Sequence, residues 1–195
     1  MTIEKFKECV GACDTLGAIL TIPIIHPLNK THKDLGGETP LIYAADAGLV
    51  SVVCALLDAG ADVDVRDEHG WTALNTTSSF DVTEVLIKYG ARVDLESPEG
   101  WTPLHHAAVE GDTGRVELLV KSGSNVETKK DDGWTALHLA AYNNRLEIAK
   151  LLVEAGANTL VLTNDNETPY DLAMQCGHQN MADLLNASSI TKGNP

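Results

Sequence analysis

Residues 100–105 read Gly-Trp-Thr-Pro-Leu-His, and the chain carries five versions of this phrase. The versions are GETPL at 37–41, GWTAL at 70–74, GWTPL at 100–104, GWTAL at 133–137 and NETPY at 166–170. Their threonines are separated by 33, 30, 33 and 33 residues. A second marker, Gly followed by Ala or Ser, recurs in the same phase at positions 60, 90, 123 and 156. Two markers with one period indicate a repeating structural unit.

Each unit carries the pattern of two helices. Ala pairs at 44–45, 107–108 and 140–141 follow the threonine, and such small helix-forming residues predict a first helix that packs closely against its neighbours. Apolar residues at helical spacing before the next marker Gly predict a second helix; in the third unit they are Val116, Leu119 and Val120. The marker Gly suits a left-handed helix cap, and the alternation after it predicts a short extended arm.

A unit of this length and pattern resembles the ankyrin repeat over residues 37–187. The family's Thr-Pro-Leu-His stands at 102–105 and, with Ala in place of Pro, at 135–138. The resemblance implies an all-α repeat solenoid, a stack of helix-turn-helix units joined by β-hairpin-like loops. It also implies that each Thr caps the first helix and bonds to the His, which ties adjacent repeats together. The His position holds Ile42, Asn75 and Asp171 in the other units, where the resemblance gives no support for that bond.

The period predicts the domain organisation. We expect a degenerate N-terminal capping repeat at 1–36, four ankyrin repeats at 37–165, a C-terminal capping repeat at 166–187 and a flexible tail at 188–195. The second full repeat, 70–99, is three residues short. Its segment Asn75-Thr76-Thr77-Ser78-Ser79 disfavours a regular first helix, because hydroxyl side chains compete for backbone hydrogen bonds.

Two interpretations of the short repeat stay open. Either the turn between its helices was trimmed and the neighbours compensate, or the loss opens a notch in the concave face. A similar foreshortened helix in the second repeat is a feature of the small ankyrin-type inhibitors of cyclin-dependent kinases. The resemblance therefore supplies an alternative functional hypothesis for this chain.

Charge and composition exclude several function classes. The formal net charge of −14 would repel nucleic acid and anionic membrane surfaces. The apolar run at 17–25 is too short for a spanning helix, and no signal peptide is evident. Four cysteines in a chain of this length do not form a disulfide framework. We expect a monomer in the cytosol or the nucleus.

The resemblance places the partner-binding surface at the hairpin tips and on the concave face. All three tryptophans of the chain directly follow a repeat Gly, at a position that would form one aromatic stripe. The ring could instead lie over its own hairpin and helix, and both readings stay open. The candidate contact residues are Trp71, Trp101, Trp134, His69, Glu99, Val109, Glu110, Asp131, Asp132, Tyr142 and Asn143.

These features favour a protein–protein interaction module that acts as an adaptor or an inhibitor. The partner would offer apolar anchors with Lys or Arg nearby, since the flanks of the stripe are acidic. We expect no cofactor and no catalytic activity, because the sequence has no phosphate-binding loop, nucleophile elbow or His-Glu-x-x-His motif.

Zinc binding is the alternative from another class. Cys9, Cys13, His26 and His32 satisfy the spacing of a classical finger. Pro27 breaks the helix that would carry the histidines, so packing of the cysteines is the favoured reading.

Overall fold

The computed structural model describes residues 3–24 and 28–192, and it divides the chain into two compact units whose boundary in the sequence falls between Pro98 and Glu99. Every regular element in these residues is helical, and the one β-bridge pairs His32 with Glu38. The helical repeat solenoid expected from the sequence is confirmed. Within the described residues, every helix is too short or too polar to traverse a bilayer.

The first unit contains three helix pairs. The helices are α1 (Ile3–Gly11), α2 (Thr15–Thr21), α3 (Pro40–Asp46), α4 (Val50–Asp58), α5 (Ala73–Thr76) and α6 (Phe80–Lys88), with 3-10 turns at Ile22–Ile24 and Lys33–Leu35. Helix α3 packs on α5, and α4 packs on both α2 and α6. The first helices α3 and α5 thus stack on each other, as do the second helices, which buries side chains such as Leu41, Val53 and Leu86.

The second unit repeats this arrangement. Its helices are α7 (Pro103–Glu110), α8 (Thr113–Lys121), α9 (Ala136–Tyr142), α10 (Leu146–Glu154), α11 (Pro169–Gln175) and α12 (Gln179–Lys192). Helix α9 packs between α7 and α11, and α10 contacts α8 and α12. Helix α12 continues past residue 188, where the sequence predicted that a flexible tail begins.

Threonines start the first helices, as the sequence predicted. The side chains of Thr39, Thr72, Thr102 and Thr168 each accept a hydrogen bond from a backbone N–H three residues later. Such a cap satisfies one of the donors left open at a helix start. The short helix α5 ends after one turn because Thr77 is extended, and the Thr76 hydroxyl bonds back to the carbonyls of Thr72 and Ala73.

The loops between repeats are tight hairpins without strands. In the second unit, the N–H of Lys130 donates to the Trp134 carbonyl at 3.0 Å, and Thr163 makes the same bond to Glu167. Neighbouring hairpins are linked as well: Asp131 N–H donates to the Glu99 carbonyl at 3.2 Å. Gly100 has φ +76°, and a Cβ there would lie 2.8 Å from the Cα of Lys130. This close approach of two backbones requires glycine.

Candidate partner-binding site

Two tryptophans of the second unit contact one lysine. The Lys130 ammonium lies 4.9 Å from the ring centroid of Trp101 and 6.0 Å from that of Trp134. Both distances are within the range of a cation–π interaction. The same ammonium is ion-paired with Asp132, and only 13 % of the lysine side chain is exposed. Lys130 therefore joins the aromatic residues of two successive hairpins.

Trp101 is half-buried against its own repeat. Its ring stacks on His106 with centroids 4.9 Å apart and an interplanar angle of 28°, and it meets His105 nearly edge-on at 6.2 Å. Together with the lysine, these contacts occupy much of the ring. Local packing is thus a substantial part of what this tryptophan does.

Trp134 is also half-buried, but an open aromatic side chain lies beside it. The Tyr142 ring approaches it edge-on, with centroids 5.5 Å apart and an interplanar angle of 71°. Half of Tyr142 is exposed. Tyrosine combines a large apolar ring with a polar tip, which suits a contact surface.

The remaining candidates of the second unit lie at or near the surface. Glu99, Asp131 and Asp132 are exposed on the hairpin tips. Val109 is half-buried, and its carbonyl accepts from the Arg145 guanidinium. The Asn143 amide donates to the Leu139 carbonyl at 2.9 Å, so this side chain is partly engaged by its own helix.

Trp71 and His69 lie in the first unit. The backbone N–H groups of both residues donate to the Asp67 carboxylate at 2.8 Å, which fixes the hairpin tip. Trp71 is half-buried, whereas the His69 side chain is 61 % exposed beside Glu68.

Lys130 was not among the sequence candidates. The corresponding hairpin positions are Asp67, Ser97 and Thr163, so it is the one cation at this position in the four fully described hairpins. The lysine at this position is visible in the sequence alone. Its contact with two tryptophans is not, because these residues are one repeat apart in the sequence.

The zinc hypothesis has no support in the described residues, where no three His, Cys, Asp or Glu side chains are arranged to hold a metal ion. Cys9 is buried in α1, and Cys13 is exposed in the turn after it. His26 lies outside the described residues.

A family model described as ankyrin repeats in three copies matches residues 41–130, 71–162 and 111–194. These matches together span most of the chain. The chain belongs to the ankyrin-repeat family. Ankyrin repeats are protein–protein interaction modules and are typically not enzymes. No curated protein shows a significant match to the chain.

The ankyrin Thr-His pair is present, and each histidine bonds to the loop that follows the second helix of its own repeat; His138 also bonds to the Glu167 carbonyl of the next repeat at 3.2 Å. The Thr102 N–H donates to His105 Nδ1 at 3.1 Å, so Nε2 carries the ring proton and donates it to the Thr128 carbonyl at 3.1 Å. His138 repeats this geometry with Thr135 and with the Val161 carbonyl. Burial lowers the pKa of both imidazoles to about 4, so both are neutral at pH 7.

Asn75 stands at the ankyrin histidine position of the repeat 70–99 and bonds to the loop of that same repeat. Its amide nitrogen donates to the Leu95 carbonyl at 3.1 Å, and its amide oxygen accepts from the Thr72 hydroxyl at 2.6 Å. An amide presents both a donor and an acceptor, as a neutral imidazole does. Asn75 therefore replaces the ankyrin histidine, but without a titratable group.

Arg115 is a functional candidate that the sequence analysis missed. It stands where the other repeats have Val52, Val82, Ile148 and Met181, and its side chain is completely buried. One guanidinium nitrogen, Nη1, lies 2.5 Å from the Glu110 carboxylate, which is 39 % exposed. Nε and Nη2 have no hydrogen-bond partner among the described residues.

His106 is influenced by the charges of both Glu110 and Arg115. Burial lowers its pKa to about 4; the nearby Glu110 carboxylate opposes this effect, and the Arg115 charge adds to it. His106 is therefore neutral at pH 7 and presents an uncharged ring to Trp101.

Proposed function

We propose that this ankyrin-repeat chain binds a partner protein through the hairpin tips and first helices of residues 99–143. Tyr142 is the central contact, because it is the open aromatic ring beside Trp134. Trp101 and Trp134 form the apolar floor, and the exposed carboxylates of Glu99 and Asp131 flank it.

The charge of this surface supports a basic partner segment. Lys130, which contacts both tryptophans, is mostly buried and is ion-paired with Asp132, and the exposed Lys129 of the same hairpin donates to the Leu162 carbonyl. Carboxylates therefore dominate what approaching charges meet, in keeping with the net charge of −14. A partner segment with an apolar or aromatic anchor next to Lys or Arg fits this combination, and the acids would raise its association rate and selectivity.

The proposal includes Val109, Glu110 and Asn143 on the first helices. In the first unit, described by itself, Trp71 and His69 are proposed as contact residues on their own hairpin tip. The chain would act by occupying its partner's surface, either as an adaptor or as an inhibitor.

Inhibition of a cyclin-dependent kinase is the second candidate. The observation that favours it is the single turn of α5 in the second full repeat, which resembles the foreshortened helix of that inhibitor class. Binding of the chain to a purified cyclin-dependent kinase, with loss of kinase activity, would support this candidate. Unchanged activity of the tested kinases in the presence of the protein at micromolar concentration would argue against this candidate.

Affinity capture with matched variants tests the main proposal. We expect Tyr142→Ala combined with Glu99→Gln and Asp131→Asn to lose specific partners that the natural chain retains, as identified by mass spectrometry. The matched control is Tyr89→Ala with Glu147→Gln and Glu154→Gln, since Tyr89 is similarly exposed and both acids lie on the second helix α10. Identical capture by both variants would refute the assigned surface.

A further inference from the structure

Arg115 is present at a cost to stability. A completely buried guanidinium loses its hydration, and here a single partly exposed carboxylate is its ion-pair partner, while two N–H-bearing nitrogens have no hydrogen-bond partner within residues 3–24 and 28–192. The other repeats show that the fold accepts an apolar residue at this position, because Val52, Val82, Ile148 and Met181 are all buried there. Packing of the repeat therefore does not require arginine.

The partner of Arg115 explains what the arginine provides. Glu110 is the last residue of α7, where the helix dipole disfavours a negative charge. It follows the Ala107-Ala108 pair by two residues, on the surface proposed above for partner contact. The ion pair at 2.5 Å anchors the Glu110 carboxylate from below while part of the side chain stays exposed. An anchored carboxylate loses less side-chain entropy when a second cation binds it.

We infer that Arg115 is a positioning residue, which holds Glu110 at the end of α7 as a preorganised acceptor for a basic side chain of the partner. This inference rests on the proposed function, because it assigns a partner group to one residue of that surface. The cation would be an Arg or Lys side chain next to the apolar anchor that contacts Tyr142. Arg115 itself does not touch the partner.

Two readouts with opposite signs separate this role from a structural one. We expect Arg115→Met to raise the melting temperature by about 3 °C, since well-packed apolar residues often replace buried ion pairs with a gain in stability. The same variant should bind a basic probe about tenfold more weakly, because the Glu110 carboxylate loses its ion pair with Arg115. Long-range electrostatics predict the reverse change in binding, since the variant loses a positive charge.

The probe is an acetylated, amidated 12-residue peptide of four arginines interspersed with leucine and glycine, titrated calorimetrically at two salt concentrations. Its control peptide has glutamate in place of arginine. Arg115→Lys keeps the charge but loses the planar fork, and we expect it to recover part of the affinity. The double variant Arg115→Met with Glu110→Gln should be as stable as Arg115→Met and bind no more tightly.

Each outcome decides a different claim. Natural affinity in Arg115→Met, or a melting temperature that falls by several degrees, would overturn the positioning role and leave the proposed surface intact. If the natural chain binds the arginine peptide no better than the glutamate peptide, the basic partner chemistry fails, and the role of Glu110 fails with it.

Discussion

Acid should destabilise this chain through its neutral, buried histidines. The pKa values of His105, His138 and His106 are about 4 in the folded chain, against an ordinary value of 6.5. The unfolded chain therefore binds protons first as the pH falls. Stability is complete above pH 6.5 and decreases between pH 6.5 and about 4. At pH 5, each histidine should reduce the free energy of unfolding by about 2 kcal/mol.

The double variant His105→Asn with His138→Asn tests the cause. Asn75 shows that an asparagine can bridge the Thr and the carbonyl at this position without a titratable group. In the natural chain, protonation would place a hydrogen on Nδ1, against the N–H of the capping Thr. From pH 8 to pH 5 the natural chain should lose about 4 kcal/mol more than the variant, which keeps the contributions of His106 and of His32, whose pKa burial also lowers.

Urea unfolding followed by circular dichroism at both pH values measures the difference. Comparing the pH effect within each protein removes any constant cost of the substitutions at pH 8. His178→Asn is the control, because this half-buried histidine also bonds a carbonyl, that of Tyr142 at 3.1 Å. This variant measures the effect of a His-to-Asn change at a carbonyl bond that involves no capping Thr. If the double variant loses as much stability at pH 5 as the natural chain, the buried histidines are not responsible.

Three further predictions follow from the contacts. Gly100→Ala should cost about 1–3 kcal/mol in urea unfolding and more than Gly60→Ala, because both glycines have positive φ but only the first adds a Cβ clash. Trp101→Ala should cost about 2 kcal/mol and Tyr142→Ala less than about 1 kcal/mol in thermal melts, and equal losses would contradict the assigned packing. Asn75→Ala should cost about 1–3 kcal/mol, with faster amide exchange near Leu95; unchanged exchange would show that the bridge is dispensable.

The 33-residue period of the sequence predicted the fold because it reflects interactions between residues that are close in sequence. Threonine caps, Ala pairs and helical spacing act within one unit, so a single unit suffices to read them. The short α5 was predictable for the same reason, since consecutive hydroxyl side chains stand where the Ala pair should be. Positions shared by all repeats thus determine the helices of each unit and their stacking.

The site residues that the sequence missed depend on contacts between elements or on an exception to the pattern. The apolar spacing of α8 selected Val116, Leu119 and Val120, yet Val120 is half-buried whereas Arg115 is completely buried. A search for apolar residues at helical spacing does not select a buried arginine. Lys130 acquires its role only when the hairpins of Trp101 and Trp134 lie side by side.

The backbone hydrogen bonds between successive hairpins set the spacing of the hairpin tips. Asp131 N–H is fixed to the Glu99 carbonyl, and Asn164 N–H to the Asp132 carbonyl. Because main-chain atoms set this distance, side chains at the tips can change without moving the tips themselves. Substitutions of surface residues alone would therefore suffice to change the partner in evolution. The spacing between the hairpin tips would stay the same.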